Sequence, residues 1–435
     1  MTLPPTTPLP APDRIEADYW IESAWPLADA AAAMAGEQSS GTFLPIPGET
    51  PELKERSAAR VIALEDLGPV ETPSLPHAGH PDRPHRQGRV TLSWPIDNMG
   101  PSLPNLMAAI AGNLFELKQF SGLRLLDIRL PDAFAEANPG PQFGVAGTRR
   151  LAGVEGRPLI GTIVKPSVGL DPEETAALVA RLAAAGLDFV KDDELQGDGP
   201  ACPFDARAHA VLREIERAAD RTGRKLMYAF NITGEIDEMR RRHDLVRDLG
   251  GTCVMVNLTG VGLSGVLALR RQATLPLHAH RNGWGALTRC PGLGFDFVAW
   301  SKIWRLAGAD HLHVNGLRNK FCEPDDSVIR SARSLLEPLP GRFPCTAMPV
   351  FSSGQTVAQV WDTYAALGSA DLIHAAGGGI MGHPGGPAAG VTALRDAWDA
   401  ALAGESAADR TARAPELAAA LGTFGGTSGG GASGG

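Results

Sequence analysis

The stretch LDFVKDDE, from Leu187 to Glu194, closes an apolar run with one lysine and three consecutive carboxylates. On a β-strand successive side chains alternate, so Lys191 and Asp193 share a face, and Glu194 can swing toward the same point as the chain leaves the sheet. Converging carboxylates suit a hard cation such as Mg2+, which takes oxygen ligands at roughly 2.0 to 2.1 Å and keeps waters for a substrate to displace. A protonated lysine, with a reference pKa of about 10.4, is a poor ligand. Carbamylation resolves that conflict: CO2 adds to the neutral amine and turns a cation into an oxygen ligand with negative charge. Taken alone, such a charge run more often marks a solvated turn, so its weight depends on what lies around it.

Other polar residues recur at comparable places. Lys165, Asn231, Asn257, the cluster His278, His280 and Arg281, then His313, Ser352 and Ser353, and finally Gly377 to Gly379 each close a short β-rich run. The glycine-rich ends at Ser352 to Gly354 and at Gly377 and Gly378 precede helical stretches, where free backbone N–H groups can hold phosphate oxygens. His278 and His311 share a strand face with His280 and His313 by the two-residue period, but lie deeper and read as hydrogen-bonded core residues.

The runs that carry these residues are LIGTIVKP, LDFVKDDE, KLMYAFNIT, TCVMVN, LPLHAHR, DHLHVNG, PCTAMPVFSSG and DLIHAAGGG. Amphipathic stretches such as DPEETAALVARLAAAG and AVLREIERAADRTG separate them. This alternation predicts a parallel (β/α)8 TIM barrel over 145–422, whose working site lies at the C-terminal ends of its strands. Over 13–144, EADYWIES, ARVIALEDL, GRVTLSWPI and GLRLLDIRL read as strands, and WPLADAAAAMAG and PNLMAAIAGNLFEL as helices. They predict a small α+β domain with helices on one face of an antiparallel sheet. The proline-rich 1–12 and the glycine- and serine-rich 423–435 are expected to be disordered.

A net charge of -9 with scattered arginines argues against nucleic acid. Five dispersed cysteines without a CxxC pair argue against a disulfide framework or zinc site and for a reducing cytoplasm. No window reaches about 18 uninterrupted apolar residues, and the opening MTLPPTTPLPAP has no basic stretch before an apolar core, so neither membrane spanning nor export is expected.

GTIVKPSVGL, GLDFVKDDE, LHAHR, DHLHVNGLRNK and GGGIMGHP, in that order, resemble the successive strand-end motifs of the ribulose bisphosphate carboxylase large-chain family. The resemblance implies an N-terminal α+β (ferredoxin-like) domain before the barrel. It implies Lys191 as the carbamylated lysine, with Asp193 and Glu194 as the other Mg2+ ligands. By the same resemblance Lys165 handles the enolisation proton, His280 and His313 lie near substrate hydroxyls and phosphate, Arg281 binds phosphate, and Lys320 is the mobile-loop lysine. EQSSGTF and AGNLF resemble segments that lean over a neighbouring subunit's barrel, implying a homodimer in which Glu37, Thr42, Phe43 and Asn113 complete the partner's site.

Three departures place the chain with the RuBisCO-like proteins, which enolise other substrates: Ser167 replaces a second lysine, Phe43 replaces a tryptophan, and HRNGWGALTRC diverges after Arg281. Retention of Arg281, His313 and Lys320 suits an oxygenated phosphate compound, and the expected reaction is C–C cleavage of a phosphorylated oxo-sugar acid, by a decarboxylase or transcarboxylase/hydrolase as in apiose catabolism. The alternatives are an enolase or isomerase of methylthio-sugar phosphates in methionine salvage, ribulose-bisphosphate carboxylation, and a catalytically silent binding protein.

Overall fold

The computed structural model describes residues 13–41, 47–76, 82–339 and 344–425. The expected disordered start, 1–12, and most of the expected tail, 426–435, lie outside the described residues, as do Thr42 and Phe43. Thr423 and Phe424 of that tail instead continue the helix Pro415–Phe424. The alanine- and leucine-rich pattern of that helix lasts until the first glycine pair.

The chain groups into two compact units that interleave in sequence. One takes the described residues of 1–140, 283–307 and 338–345, and the other those of 141–282, 308–337 and 346–435.

In the first unit β1 (Arg14–Ser23), β2 (Arg60–Val70), β3 (His85–Pro95) and β4 (Phe120–Arg129) form an antiparallel set with β1 between β3 and β4. Alternation puts Ile15, Ala17, Tyr19 and Ile21 of β1 on a fully buried face. The helices Leu27–Glu37 and Leu103–Ala111 bury Ala30, Ala31 and Met34, and Leu103, Leu106 and Ile110. The Tyr19 hydroxyl donates to the Ile110 carbonyl at 2.7 Å. The stretch PNLMAAIAGNLFEL is not one helix: it breaks at Gly112, whose N–H caps Ala108, and resumes as a 3-10 turn, Asn113–Glu116.

The sheet is also not purely antiparallel. A fifth strand, Leu293–Phe295, joins the edge at β4 in parallel. Arg124 on β4 fixes it, with its guanidinium donating to the carbonyls of Leu293 at 2.9 Å and Phe295 at 2.8 Å. Three residues with one leucine and one phenylalanine give no periodic signal, so this strand was not legible in the sequence.

The second unit holds β5 (Leu159–Ile163), β6 (Phe189–Lys191), β7 (Met227–Asn231), β8 (Cys253–Asn257) and β9 (Leu277–His280). With Leu293–Phe295 counted as β10, it continues through β11 (His311–His313), β12 (Met348–Phe351) and β13 (Ile373–Ala375). These eight strands close a parallel barrel, as the alternation predicted. Leu159, Phe189, Met227, Met255, Met348, Val350 and Ile373 fill it.

The segments around β6 show how the sequence sets the barrel's geometry. The helix Pro172–Ala184 starts at a capping box between Asp171 and Glu174, the kind of cap worth about 1 kcal/mol. Its buried stripe includes Leu178, Val179 and Leu182. Gly186, at φ 77°, then turns the chain into β6. At the start of β6, buried Asp188 accepts from Arg157 at 2.5 Å, Arg224 at 2.6 Å and the Ile160 N–H at 3.0 Å. Asp310 does the same before β11, accepting from Arg270 at 3.0 Å and the N–H of Leu277 at 2.8 Å.

Candidate active site

Strand alternation separates the charges of KDDE. Asp192 turns away to a fully buried site, where the Tyr228 hydroxyl at 2.5 Å, the Asn231 N–H at 2.8 Å and Arg207 at 3.3 Å satisfy it. Lys191 and Asp193, on the other face, are buried at the end of β6, and Glu194 follows half-buried.

Lys191 Nζ lies 3.2 Å from Glu194 Oε2 and donates to the Asp192 carbonyl at 3.0 Å. Lys165 Nζ, just past β5, donates to Asp193 Oδ2 at 2.7 Å and to Ser167 Oγ at 2.8 Å. His280 Nε2 is 3.4 Å from Glu194 Oε2. The backbone that carries the acids is held by side-chain amides: Asn257 Nδ2 donates to the Glu194 carbonyl at 2.9 Å and Asn231 Nδ2 to the same carbonyl at 3.3 Å.

Burial sets the protonation preferences. Desolvation pulls the Lys191 amine below its ordinary pKa, against the pull of Glu194 and Asp193. The same burial works to raise the Glu194 carboxyl, but the charge of Lys191 and local hydrogen bonds outweigh it and hold it below the usual range. Desolvation, helped by the charge of Lys191, pushes His280 well below the normal histidine value.

Asp193 and Glu194 could hold a divalent cation if a third oxygen donor joined them. Among the described residues no three His, Cys, Asp or Glu side chains gather to hold a metal. Asp193 and Glu194 alone fall short of a ligand set, and a carbamate on Lys191 would supply the missing oxygen. Lys191 lies against Glu194, with an amine whose neutral, CO2-reactive form burial favours. The ammonium groups of Lys191 and Lys165 occupy the positions where positive charge balances the two carboxylates.

A second connected group lies beside it. The ring centroids of His280 and His313 are 4.5 Å apart. His313 Nδ1 meets Ser352 Oγ at 2.9 Å, and Ser352 Oγ lies 3.5 Å from Ser353 Oγ. Ser353 Oγ donates to Asn315 Oδ1 at 2.8 Å, and Asn315 Nδ2 donates to Glu323 Oε2 at 2.7 Å. Glu323 Oε2 also takes Arg281 Nη2 at 2.6 Å, so the expected phosphate-binding arginine already has a carboxylate partner. Glu323 carried no sequence argument; its position three residues after Lys320 in NKFCE is the only signal it offered.

Lys320 is exposed, its backbone N–H donating to the Ser353 carbonyl at 3.2 Å and its ammonium 5.2 Å from the Phe321 ring centroid. Ser353 and Gly354 both turn through positive φ, 71° and 85°. Gly377 and Gly378 open a short helix, Gly377–Met381. A Cβ on Gly377 would lie 3.9 Å from Lys165 Cε, whereas one on Gly378 would meet open space. Glu37 and Asn113 belong to the other unit, where Asn113 Nδ2 donates to Glu37 Oε1 at 3.3 Å. Among the described residues no helix is long and apolar enough to cross a membrane.

Residues 15–134 match the ribulose bisphosphate carboxylase large-chain N-terminal domain, and residues 144–339 and 341–424 match its catalytic domain. The chain is 60% identical to a 3-oxo-isoapionate-4-phosphate transcarboxylase/hydrolase of Xanthobacter autotrophicus, covering 94% of this chain and 99% of that one. It is 46% identical to a 3-oxo-isoapionate-4-phosphate decarboxylase of Rhizobium rhizogenes, over 93% and 97% of the two chains. A crystal structure of a rubisco-like protein from Burkholderia fungorum superposes with a TM-score of 0.90 at 45% identity, covering 95% of this chain and all of that one. Both domains are thus matched in order and nearly end to end, and the chain belongs to the ribulose bisphosphate carboxylase large-chain family.

Proposed function

We propose that the protein is a Mg2+-dependent enzyme that forms an enediolate from a phosphorylated 3-oxo sugar acid and cleaves a C–C bond, acting on 3-oxo-isoapionate 4-phosphate. One observation carries the chemistry: Lys165 pairs with Asp193, and Lys191 and His280 gather on Glu194, so the consecutive acids Asp193 and Glu194 bring both groups to the ends of β5, β6 and β9. The names of the relatives supply the substrate.

In this reading Lys191, as its carbamate, holds the cation with Asp193 and Glu194. When bound there, Mg2+ stabilises negative charge developing on a substrate oxygen. Lys165, as its neutral amine, takes the proton from the carbon beside the carbonyl, and its contact with Asp193 orients the side chain. His280 and His313 receive the substrate's hydroxyl side. Arg281, with the backbone at Ser353, Gly354, Gly377 and Gly378, takes the phosphate, and Lys320 closes over it from the loop after β11.

A homodimer completes the site, with Glu37 and Asn113 reaching the partner's barrel. The partly exposed apolar side chains Val61, Ile62, Leu64 and Leu67 on edge strand β2 support a surface that packs against a second copy. The cytoplasm is the proposed location.

The higher identity to the transcarboxylase/hydrolase favours that outcome over simple decarboxylation. The test is incubation of 3-oxo-isoapionate 4-phosphate, 13C-labelled at its carboxylate, with enzyme, Mg2+ and bicarbonate. Transcarboxylation keeps the label in an organic product, decarboxylation releases it as CO2, and no turnover with either fate overturns the assignment.

A further inference from the structure

Two histidines that the site does not use, His278 and His311, are fully buried inside the barrel. They link the active-site residue His313 to the helix Gly144–Ala152 through an unbroken line of side chains. His313 Nε2 meets His278 Nε2 at 2.7 Å, His278 Nδ1 meets His311 Nδ1 at 3.3 Å, and His311 Nε2 meets Thr148 Oγ1 at 2.8 Å. At the far end, the Thr148 hydroxyl donates to the Gly144 carbonyl at 2.5 Å.

That last bond decides every other one. A hydroxyl has one proton, and a carbonyl can only accept, so Thr148 spends its proton on Gly144 and accepts from His311. His311 therefore carries its proton on Nε2 and accepts at Nδ1. His278 must donate from Nδ1 and accept at Nε2. His313 must donate from Nε2, which leaves its Nδ1 to accept the Ser352 hydroxyl proton. An extra proton on His311 or His278 would set two N–H groups against each other, and burial pushes His278 and His313 well below the usual histidine value and His311 down to about 3. The line ends at a carbonyl that cannot take the proton, so it is a fixed polarity and not a conducting relay.

We propose that Thr148, His311 and His278 are positioning residues that fix the tautomer of His313 and commit the Ser352 hydroxyl proton to it. Ser352 Oγ then faces the substrate as an acceptor only. It recognises a substrate hydroxyl and does not donate to phosphate, which is left to Arg281 and backbone N–H groups. This part rests on the proposed function; the tautomer assignment does not.

The test is a long-range 1H–15N correlation of the full chain labelled with 15N-histidine, without substrate, with assignments from single His→Gln variants. The expected result is His311 and His313 in the Nε2–H form and His278 in the Nδ1–H form. Thr148→Val removes the acceptor for His311; reversing the whole line then keeps every remaining bond while sparing a buried unpaired N–H, the costlier orphan. All three tautomers should shift together in that variant, and Thr148→Ser should restore them. A wild-type line of opposite or mixed polarity, or a Thr148→Val spectrum with unchanged tautomers, would overturn the proposal. With the phosphorylated oxo-acid as substrate, Thr148→Val should lower kcat/KM by about tenfold, one hydrogen bond's worth, and leave the Mg2+ Kd unchanged. Full kcat/KM in a variant with reversed tautomers would remove the role given to Ser352 and leave the proposed reaction standing.

Discussion

Glu323→Gln tests how the phosphate end works. The substitution keeps the shape and one acceptor oxygen but removes the charge facing Arg281. In the native protein the two are 2.6 Å apart, with side chains only 6% and 14% exposed. At an effective dielectric of about 20, that contact corresponds to about 6 kcal/mol of attraction. Desolvation of both groups cancels most of it, and hydrogen bonds to charged groups typically leave about 1.5 to 3 kcal/mol net. An incoming phosphate must meet that competition before it gains Arg281. The variant should therefore bind inorganic phosphate and the phosphorylated substrate about ten- to a hundredfold more tightly, read by isothermal titration calorimetry. It should also lose about 1 to 3 kcal/mol of stability, because burial disfavours the Arg281 charge and Glu323 offsets that cost. An unchanged or weaker phosphate affinity would refute the competition and separate Arg281 from the phosphate.

Lys165→Met should leave the Mg2+ Kd within about twofold while slowing solvent deuterium exchange at the substrate carbon by about 10² to 10⁴, the range for a lost general acid or base; mass spectrometry of recovered substrate reads both exchange and its absence. Asp188→Asn should cost about 3 kcal/mol at neutral pH in urea unfolding, since it leaves the mostly buried Arg157 without its carboxylate. Burial alone would raise the Asp188 carboxyl, but Arg157 and its other donors hold it below the usual value. Its contribution is thus complete above its unfolded pKa of about 3.9 and is lost as pH falls through the lower folded value; the variant's stability should lack that acid-side loss. Gly379→Ala should lower Tm, because its Cβ would lie 2.6 Å from the Gln355 carbonyl oxygen, an overpacking worth about 1 to 3 kcal/mol. Gly378→Ala, whose Cβ meets nothing within 4 Å, should leave Tm unchanged.

The barrel was legible because each strand is a short apolar run ended by a polar residue, and the two-residue period alone separated Lys191 and Asp193 from Asp192. The same period placed His278 and His311 in the core, where they are, but it could not show that His278 touches both His311 and His313: those contacts are made between β9 and β11, and sequence spacing says nothing about neighbours across a barrel. Glu323 stayed hidden for a similar reason, since a lone acid in a polar loop looks solvated until Arg281 arrives from another strand. The parallel strand Leu293–Phe295 depends on Arg124, far away in the chain, and not on its own pattern. Glu37 and Asn113 do meet, within the N-terminal unit, while Thr42 and Phe43 lie outside the described residues.

The most direct measurement is Mg2+ binding to the full chain with and without CO2, together with 13C NMR after exposure to 13CO2. A carbamate resonance that appears with the label, a Mg2+ affinity that rises with CO2, and loss of both in Lys191→Met are the predicted results. Mg2+ binding that is indifferent to CO2 and survives in Lys191→Met would contradict the site built on Lys191, Asp193 and Glu194.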